Sequence, residues 1–215
     1  MSELHISNLS ITTTTGDLLV HVENAVFHEG VTALIGHNGA GKSTFLQYLS
    51  GLRSVPKGCV RLDGRDLASD RSSYLERIVY QPQNFSAYPE LSGVEFLIFF
   101  AVLRGYRRRD AKMLARYWLE RVGLPVTRQP TAQYSQGMLQ KLGFAYALQS
   151  GAPLCILDEP FAGVDPDARK ALLEIAATTR DRIFLICTHH VDEMRECNAG
   201  FVTIANGQLN VEFPA

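Results

Sequence analysis

The stretch "VTALIGHNGAGKST", Val31 to Thr44, decides how the rest of the chain is read. "VTALI" is apolar and partly β-branched, and reads as a buried strand ending at Ile35. "FLQYLSGL" (Phe45–Leu52), just beyond the stretch, has helical character. Between the two, Gly36, His37, Asn38, Gly39, Ala40, Gly41, Lys42, Ser43 and Thr44 fit G-x-x-x-x-G-K-[ST], the phosphate loop called Walker A. Small residues let such a loop wrap closely with its amide N–H groups turned inward. Those groups, and the positive end of the following helix, favour a bound anion. Lys42 has the reach for β- and γ-phosphates, and the Ser43 hydroxyl suits Mg²⁺. A glycine-rich turn with no ligand is the bland alternative. The length of the pattern, its GKS and its place between strand and helix weigh against it. The expectation is a nucleoside triphosphate site.

The bulk numbers narrow what such a site serves. The chain has 215 residues, room for one large core with a small appended subdomain. A net charge of −1 gives no electrostatic footprint for nucleic acid. Residues 1–20 lack the basic start and apolar core of a signal peptide. The longest apolar run, "FLIFFAVL" (Phe96–Leu103), is far short of the ~20 residues that span a bilayer. A soluble chain made in the cytoplasm is expected. There are four cysteines with no C-x-x-C pair. Cys155 and Cys187 sit inside apolar runs and read as reduced core residues.

Working outward, residues 1–35 carry strand patterns in "LHISNLSITTTT" and "LLVHVENAVF". The threonine run Thr12–Thr15 reads as exposed strand or turn. "VPKGCVRLDGRDL" reads as turn, strand, turn, with Asp63-Gly64 as the turn signal. "RIVYQPQ" begins as a strand and ends in a loop at Pro82. From about Leu91 to Leu148 the character is helical, with "VEFLIFFAVLRGY" and "DAKMLARYWLERVGL" as the first two helices and Gly123 as a stop. Strand patterns return in "PLCIL", "RIFLIC" and "FVTIANGQLNVEF". The chain therefore reads as an α/β core with a helical insert.

"PLCILDEP" ends a strand in adjacent acids. A strand of an open α/β sheet delivers its last residues to the ligand crevice. There Asp158 can hold Mg²⁺ and Glu159 can act as general base on an attacking water. A solvated acidic turn before Pro160 is the alternative, and the upstream phosphate loop disfavours it.

With these residues in place, the chain resembles the nucleotide-binding subunit of an ATP-binding cassette (ABC) transporter. "LDEPFAGVDP" (Leu157–Pro166) is similar to the family's Walker B and D-loop. "CTHH" (Cys187–His190) resembles the switch segment, which puts the switch on His189. "VYQPQ" (Val79–Gln83) resembles the Q-loop; Pro82 assigns that role, a sensor of Mg²⁺ and water, to Gln83, with Gln81 the alternative. "YSQGMLQKLGFAYAL" (Tyr134–Leu148) stands where the signature motif belongs. The commonest signature is L-S-G-G-Q. Here Ser135 and Gly137 are kept, and the Y-S-x-G-M form resembles ABC-2-type exporters. The resemblance covers about residues 4–205. It implies a P-loop NTPase core, an N-terminal antiparallel β subdomain and an inserted helical signature subdomain at about 88–150, all in one ABC ATPase domain over 1–215.

The resemblance also implies ATP and Mg²⁺ as cofactors and a head-to-tail pair of such chains around ATP. In that pair Ser135 and Gly137 serve the nucleotide held by the opposite copy. It further implies ATP hydrolysis that powers transport through separate membrane-spanning subunits, at the cytoplasmic face of a membrane. A soluble ABC ATPase outside transport, or a nucleotide-binding regulator, is the alternative. One family feature is absent. An aromatic that stacks on adenine usually precedes the position of Gly16, and threonines stand there. That leaves Phe27, or an aromatic from elsewhere, to supply a ring. The basic run "RGYRRRDAK" (Arg104–Lys112) reads either as a solvated inter-helix loop or as a contact for anionic lipid or acidic partner loops. "EFLIFF" (Glu95–Phe100) reads either as core or as a groove for a partner's helix.

Overall fold

The computed structural model describes residues 1–212. Phe213, the end of the last strand pattern, lies outside them. The chain divides into two compact units. Of the described residues, the first comprises 1–80, 152–158 and 175–212, and the second 81–151 and 159–174.

The first unit is built on a mixed sheet. Its strands are β1 (Glu3–Thr12), β2 (Leu18–His28), β3 (Gly30–Ile35), β4 (Val60–Leu62), β5 (Arg65–Asp66), β6 (Ile78–Gln81), β7 (Leu154–Asp158), β8 (Ile183–Cys187), β9 (Gly200–Ala205) and β10 (Gln208–Glu212). Their spatial order is β5-β4-β1-β2-β10-β9-β3-β8-β7-β6. One side is antiparallel: β2, β1, β4 and β5 pair in succession with reversed direction. At the heart, β9, β3, β8 and β7 run parallel. The two regions differ as their sequences do. β1 alternates in two stretches, burying Leu4 and Ile6 and then Leu9 and Ile11, with the phase reset at Asn8 in left-handed backbone. β7 and β8 are buried at every position, as strands covered on both faces must be. Each such Leu or Ile contributes roughly 1.5–3 kcal/mol on leaving water. Cys155 and Cys187 are part of this interior, 0% and 1% exposed.

Helix α1 (Lys42–Leu49) follows β3 and packs Phe45, Leu46 and Leu49 into the core. A short helix that the sequence pattern did not announce, α2 (Arg71–Leu75), precedes β6. The Asp63-Gly64 turn links β4 to β5, as expected, and Asn206-Gly207 turns β9 into β10.

The second unit is helical. It holds α3 (Gly93–Leu103), α4 (Arg108–Arg121) and α5 (Gln136–Gln149), and the start of α6 (Pro166–Thr178). Ser92 and Glu95 form a reciprocal capping box that fixes the start of α3. Two readings of this unit change. "EFLIFF" is neither all core nor all groove: Phe96 and Leu97 are buried, while Phe99 is 43% exposed. The basic run is only partly a loop, because α4 already begins at Arg108. Its start was hidden because Arg107 stands at the N-cap and makes no side-chain cap, where Ser, Thr, Asp or Asn is the usual signal. No helix of the described residues is long and apolar enough to cross a membrane.

Candidate nucleotide site

Parallel pairing brings the first unit's chemistry to one edge of the sheet. Leu34 of β3 and Asp158 of β7 both stand opposite Cys187 of β8. The strands therefore end in line, and one edge of the first unit carries the Gly36–Thr44 loop, Asp158 at the end of β7, and Thr188-His189. This is the carboxyl edge where open α/β sheets hold their ligands.

The loop's backbone has the shape its glycines allow. Gly36, Gly39 and Gly41 have φ of 153°, 82° and 95°, values that side chains disfavour. A Cβ at Gly36 would come within 2.8 Å of the Ile204 carbonyl oxygen, and one at Gly41 within 2.7 Å of the Leu19 side chain. A Cβ at Gly39 would meet nothing, so the loop is open to a ligand there. The Lys42 ammonium donates to the carbonyls of Gly36 and His37, at 2.7 and 3.1 Å. That holds the loop curled around its own lysine.

Asp158 is 2% exposed and accepts a hydrogen bond from the Ser43 hydroxyl at 3.2 Å. Burial pushes its carboxyl above the usual range; Ser43, Cys187 and the Lys42 charge offset this only in part. Such a carboxylate is short of positive charge. A hydroxyl and a carboxylate at this spacing are the oxygen donors that Mg²⁺ takes, so Ser43 and Asp158 fit that ion. Tyr80 on β6 was not foreseen. Its phenol is pushed up to about 12 by burial and then by the negative charge of Asp158, so it stays a neutral donor beside that carboxylate.

His189 follows β8 and is exposed. Its ring lies 4.2 Å from that of His190. The preceding Thr188 is buried, and its hydroxyl accepts from the His190 N–H at 3.2 Å.

Beside the phosphate loop is a cavity of about 150 Å³. Leu19, His37, Gly39, Ala40, Ile204 and the Asn206-Gly207 turn line it, with no Phe, Tyr or Trp. The sequence reading took Asn206-Gly207 as part of one strand pattern, neither as a turn nor as a neighbour of the loop. Phe27 cannot supply a ring for a base, because it is fully buried in the core. Thr13, Thr15 and Asp17 bond to one another in the β1–β2 turn.

The remaining expected residues lie in the second unit. Glu159 has φ 49°, left-handed backbone for a residue with a side chain, a strain of order 1–2 kcal/mol. Ser135 caps α5, accepting from the Met138 N–H at 3.2 Å. Gly137 is buried against the Gly163 carbonyl. The two glutamines separate clearly. Gln81 is 0% exposed and gives its amide to Gln140, at 2.6 Å to the side chain and 3.2 Å to the carbonyl. Gln140 in turn donates to the Gln83 carbonyl at 2.8 Å, and the Gln83 side chain is exposed.

Known proteins match this arrangement. The family model described as "ABC transporter" matches residues 19–162. The human retinal-specific phospholipid-transporting ATPase ABCA4 is 35% identical over 86% of this chain, and the match covers 8% of that protein. The human phospholipid-transporting ATPase ABCA7 is 35% identical over 85% of the chain and 9% of its own length. The chain thus spans about a tenth of the length of these curated relatives. Among solved structures, the ATP-binding subunit of an ABC transporter superposes with a TM-score of 0.82 and 30% identity, covering 97% of this chain and 89% of that one. The dimeric cassette MJ0796, in a post-hydrolysis state with ADP and Pi, shares the fold at a TM-score of 0.86 and 19% identity. Its match covers 98% of each chain. The fold is that of the P-loop NTPases, and the chain belongs to the ABC transporter family as one of its ATP-binding cassettes.

Proposed function

We infer that this chain hydrolyses ATP to drive transport by an exporter whose membrane-spanning parts are separate partners. The observation that carries the reading is the alignment of strand ends that leaves Ser43 hydrogen-bonded to a buried, charge-poor Asp158 beside a curled phosphate loop. In this reading Gly36–Thr44 wrap the phosphates with their amides, and the Lys42 ammonium exchanges loop carbonyls for β- and γ-phosphate oxygens. Ser43 and Asp158, with Gln83 as a sensor, would hold Mg²⁺, which when bound neutralises charge developing on the phosphates.

Glu159 takes a proton from the attacking water. Its strained backbone supports a functional role, since left-handed non-glycine residues cluster at active sites. His189 orients that water or hydrogen-bonds the γ-phosphate. The engagement of Gln81 with Gln140 supports Gln83 as the sensor. Two copies pair head to tail, and Ser135 and Gly137 of each present a hydroxyl and helix N-terminal amides to the other's ATP. Closure is driven by ATP binding and reversed by hydrolysis. The exposed apolar side chains Tyr88, Phe99 and Val102 support docking of a membrane partner at α3, which would hold the chain at the cytoplasmic face. The names of the human relatives point to lipid-class cargo; the cassette's own residues speak only to ATP.

The test is Glu159→Gln, which keeps size and removes the base. With ATP and Mg²⁺ the variant should bind nucleotide, release almost no phosphate and elute as a dimer. Turnover at the wild-type rate would overturn the assignment.

A further inference from the structure

We propose that the exposed surface formed by the α3–α4 link and the outer face of α4 binds the anionic headgroups of a lipid bilayer. The starting point is charge. Six of the chain's 21 Lys and Arg fall between Arg104 and Arg116, with Asp110 the sole acid among them, in a chain whose net charge is −1. Arg107, Arg108, Arg109, Lys112 and Arg116 are all exposed. None of these five has an ion pair within 4 Å among the described residues.

Helical spacing orders them. Arg109, Lys112 and Arg116 stand at i, i+3 and i+7 and form one stripe along α4. Met113 and Tyr117, at i+4 and i+8 from Arg109, run beside that stripe and are 58% and 51% exposed. Leu103 and Tyr106, on the approach to α4, are 65% and 42% exposed. The face opposite Met113 and Tyr117, which adjoins the cationic stripe on its Lys112 side, carries Ala111, Ala115 and Leu119 into the core and is already partnered. Asp110 and Glu120 are the only acids on α4 besides these cations, and both are exposed.

The placement is costly for the fold. Arg107 to Arg109 crowd the positive end of the α4 dipole, where cations are unfavourable and acids are the stabilising choice. Exposed Leu, Met and Tyr gain nothing in water. Local choices that work against folding mark functional surfaces. Cations interleaved with amphipathic and apolar side chains match a headgroup layer: guanidinium and ammonium groups meet phosphate, while Leu, Met and Tyr enter the acyl boundary. Clusters of four to eight Lys and Arg on an amphipathic helix suit anionic lipid. Net charge near zero confines the attraction to this patch, because screening removes fields beyond about 10 Å.

The proposal rests on the transporter reading, which brings the chain to a membrane, and its test separates the two. The full chain is sedimented with vesicles of neutral phosphatidylcholine, and with vesicles in which a third of the lipid is phosphatidylserine. The wild type should partition to the anionic vesicles in a salt-sensitive way and not to the neutral ones. The triple variant Arg109→Glu, Lys112→Glu, Arg116→Glu should lose on the order of a hundredfold in partitioning, with its melting temperature and ATP affinity unchanged. Binding equal on both vesicles, no binding to either, or a triple variant that binds like wild type would overturn the proposal. So would capture by poly-glutamate peptide without vesicle binding, which would assign the surface to an acidic protein. ATP turnover reports on the transporter reading independently: its absence would remove that reading while leaving the vesicle result standing.

Discussion

Replacing Gly137 by Ala adds one methyl group at the start of α5, and the structure says what that methyl meets. A Cβ built there lies 2.2 Å from the Gly163 carbonyl oxygen and 3.0 Å from its carbon. Real contacts are essentially never under 3.0 Å, so helix and loop must part by roughly 1 Å, and both partners are backbone. The loop has little freedom to yield. Val164 N–H bonds to the Phe161 carbonyl at 3.0 Å, and Asp165 receives the Ala168 N–H at 2.9 Å. Phe161 is 1% exposed and packs against Phe144.

Overpacking of this kind costs about 1–3 kcal/mol, while alanine regains up to ~1 kcal/mol of helix propensity. A 2.2 Å backbone-to-backbone clash belongs in the upper part of that overpacking range, about 2–3 kcal/mol, so the net is a loss of about 1–2 kcal/mol, which in a chain of this size lowers the melting temperature by about 2–8 °C. Gln136→Ala, in the same turn but exposed, places an alanine there without the clash and with well under ~1 kcal/mol of propensity change, and serves as control. Both are read by thermal melts followed by circular dichroism. ATP turnover of Gly137→Ala should fall further than the lost stability explains, because the amides of this turn would be displaced. A Gly137→Ala protein that melts at or above wild type would refute the packing argument.

Other outcomes follow from the same geometry. Lys42→Ala removes the charge that would meet the phosphates and should weaken ATP binding by about ten- to a hundredfold; titration calorimetry giving unchanged affinity would remove the site assignment. Burial opposes ionisation of Asp66, but N–H and O–H donors from Ser69, Gly58 and Ala68 outweigh it and hold its carboxyl below the ordinary 3.8. A lowered folded pKa contributes stability above the unfolded value and loses it as pH falls through the folded one. The stability gap between wild type and Asp66→Asn, about 1–3 kcal/mol at neutral pH, should therefore be constant above pH ~4 and shrink below it in urea titrations; a gap that widens in acid would contradict this. Base recognition is expected to be weak: no Phe, Tyr or Trp lines the cavity to add the ~1–3 kcal/mol of base stacking, and the phosphate contacts are the same for both nucleotides, so ATP and GTP should compete within about tenfold. A preference of about a hundredfold would mean that the cavity between Leu19, Ile204 and Asn206 reads the base.

What was legible in the sequence was legible for a physical reason. Glycines in positive φ, a lysine and a hydroxyl at fixed spacing can be met only by a loop that bares its amides, so Gly36–Thr44 declared both its shape and its ligand class. Fully apolar "PLCIL" and "RIFLIC" had to be covered on both faces, which forced a parallel sheet and put Asp158 and His189 beyond aligned strand ends. What sequence patterns hid depends on partners remote in the chain. Gln81 and Gln83 are alike as loop glutamines, and Gln140, 59 positions from Gln81, separates them by claiming one amide. Phe27 is as aromatic as any candidate for stacking, but only the assembled core shows that its ring is buried. Tyr80 and Asn206 gained their places through strand neighbours that local periodicity cannot name.

The start of α4 was missed for the opposite reason. Helix starts are inferred from stabilising signals such as caps and first-turn acids; at α4 Asp110 supplies the acid, but Arg107 makes no cap and Arg108 and Arg109 stand ahead of Asp110. A rule built on stability fails where a surface is tuned for something else. The failure at α4 and the unpaired cations there are thus two views of one property: the segment is written for what it meets in solution or at a membrane, and α4 forms despite it because Ala111, Ala115 and Leu119 are buried behind.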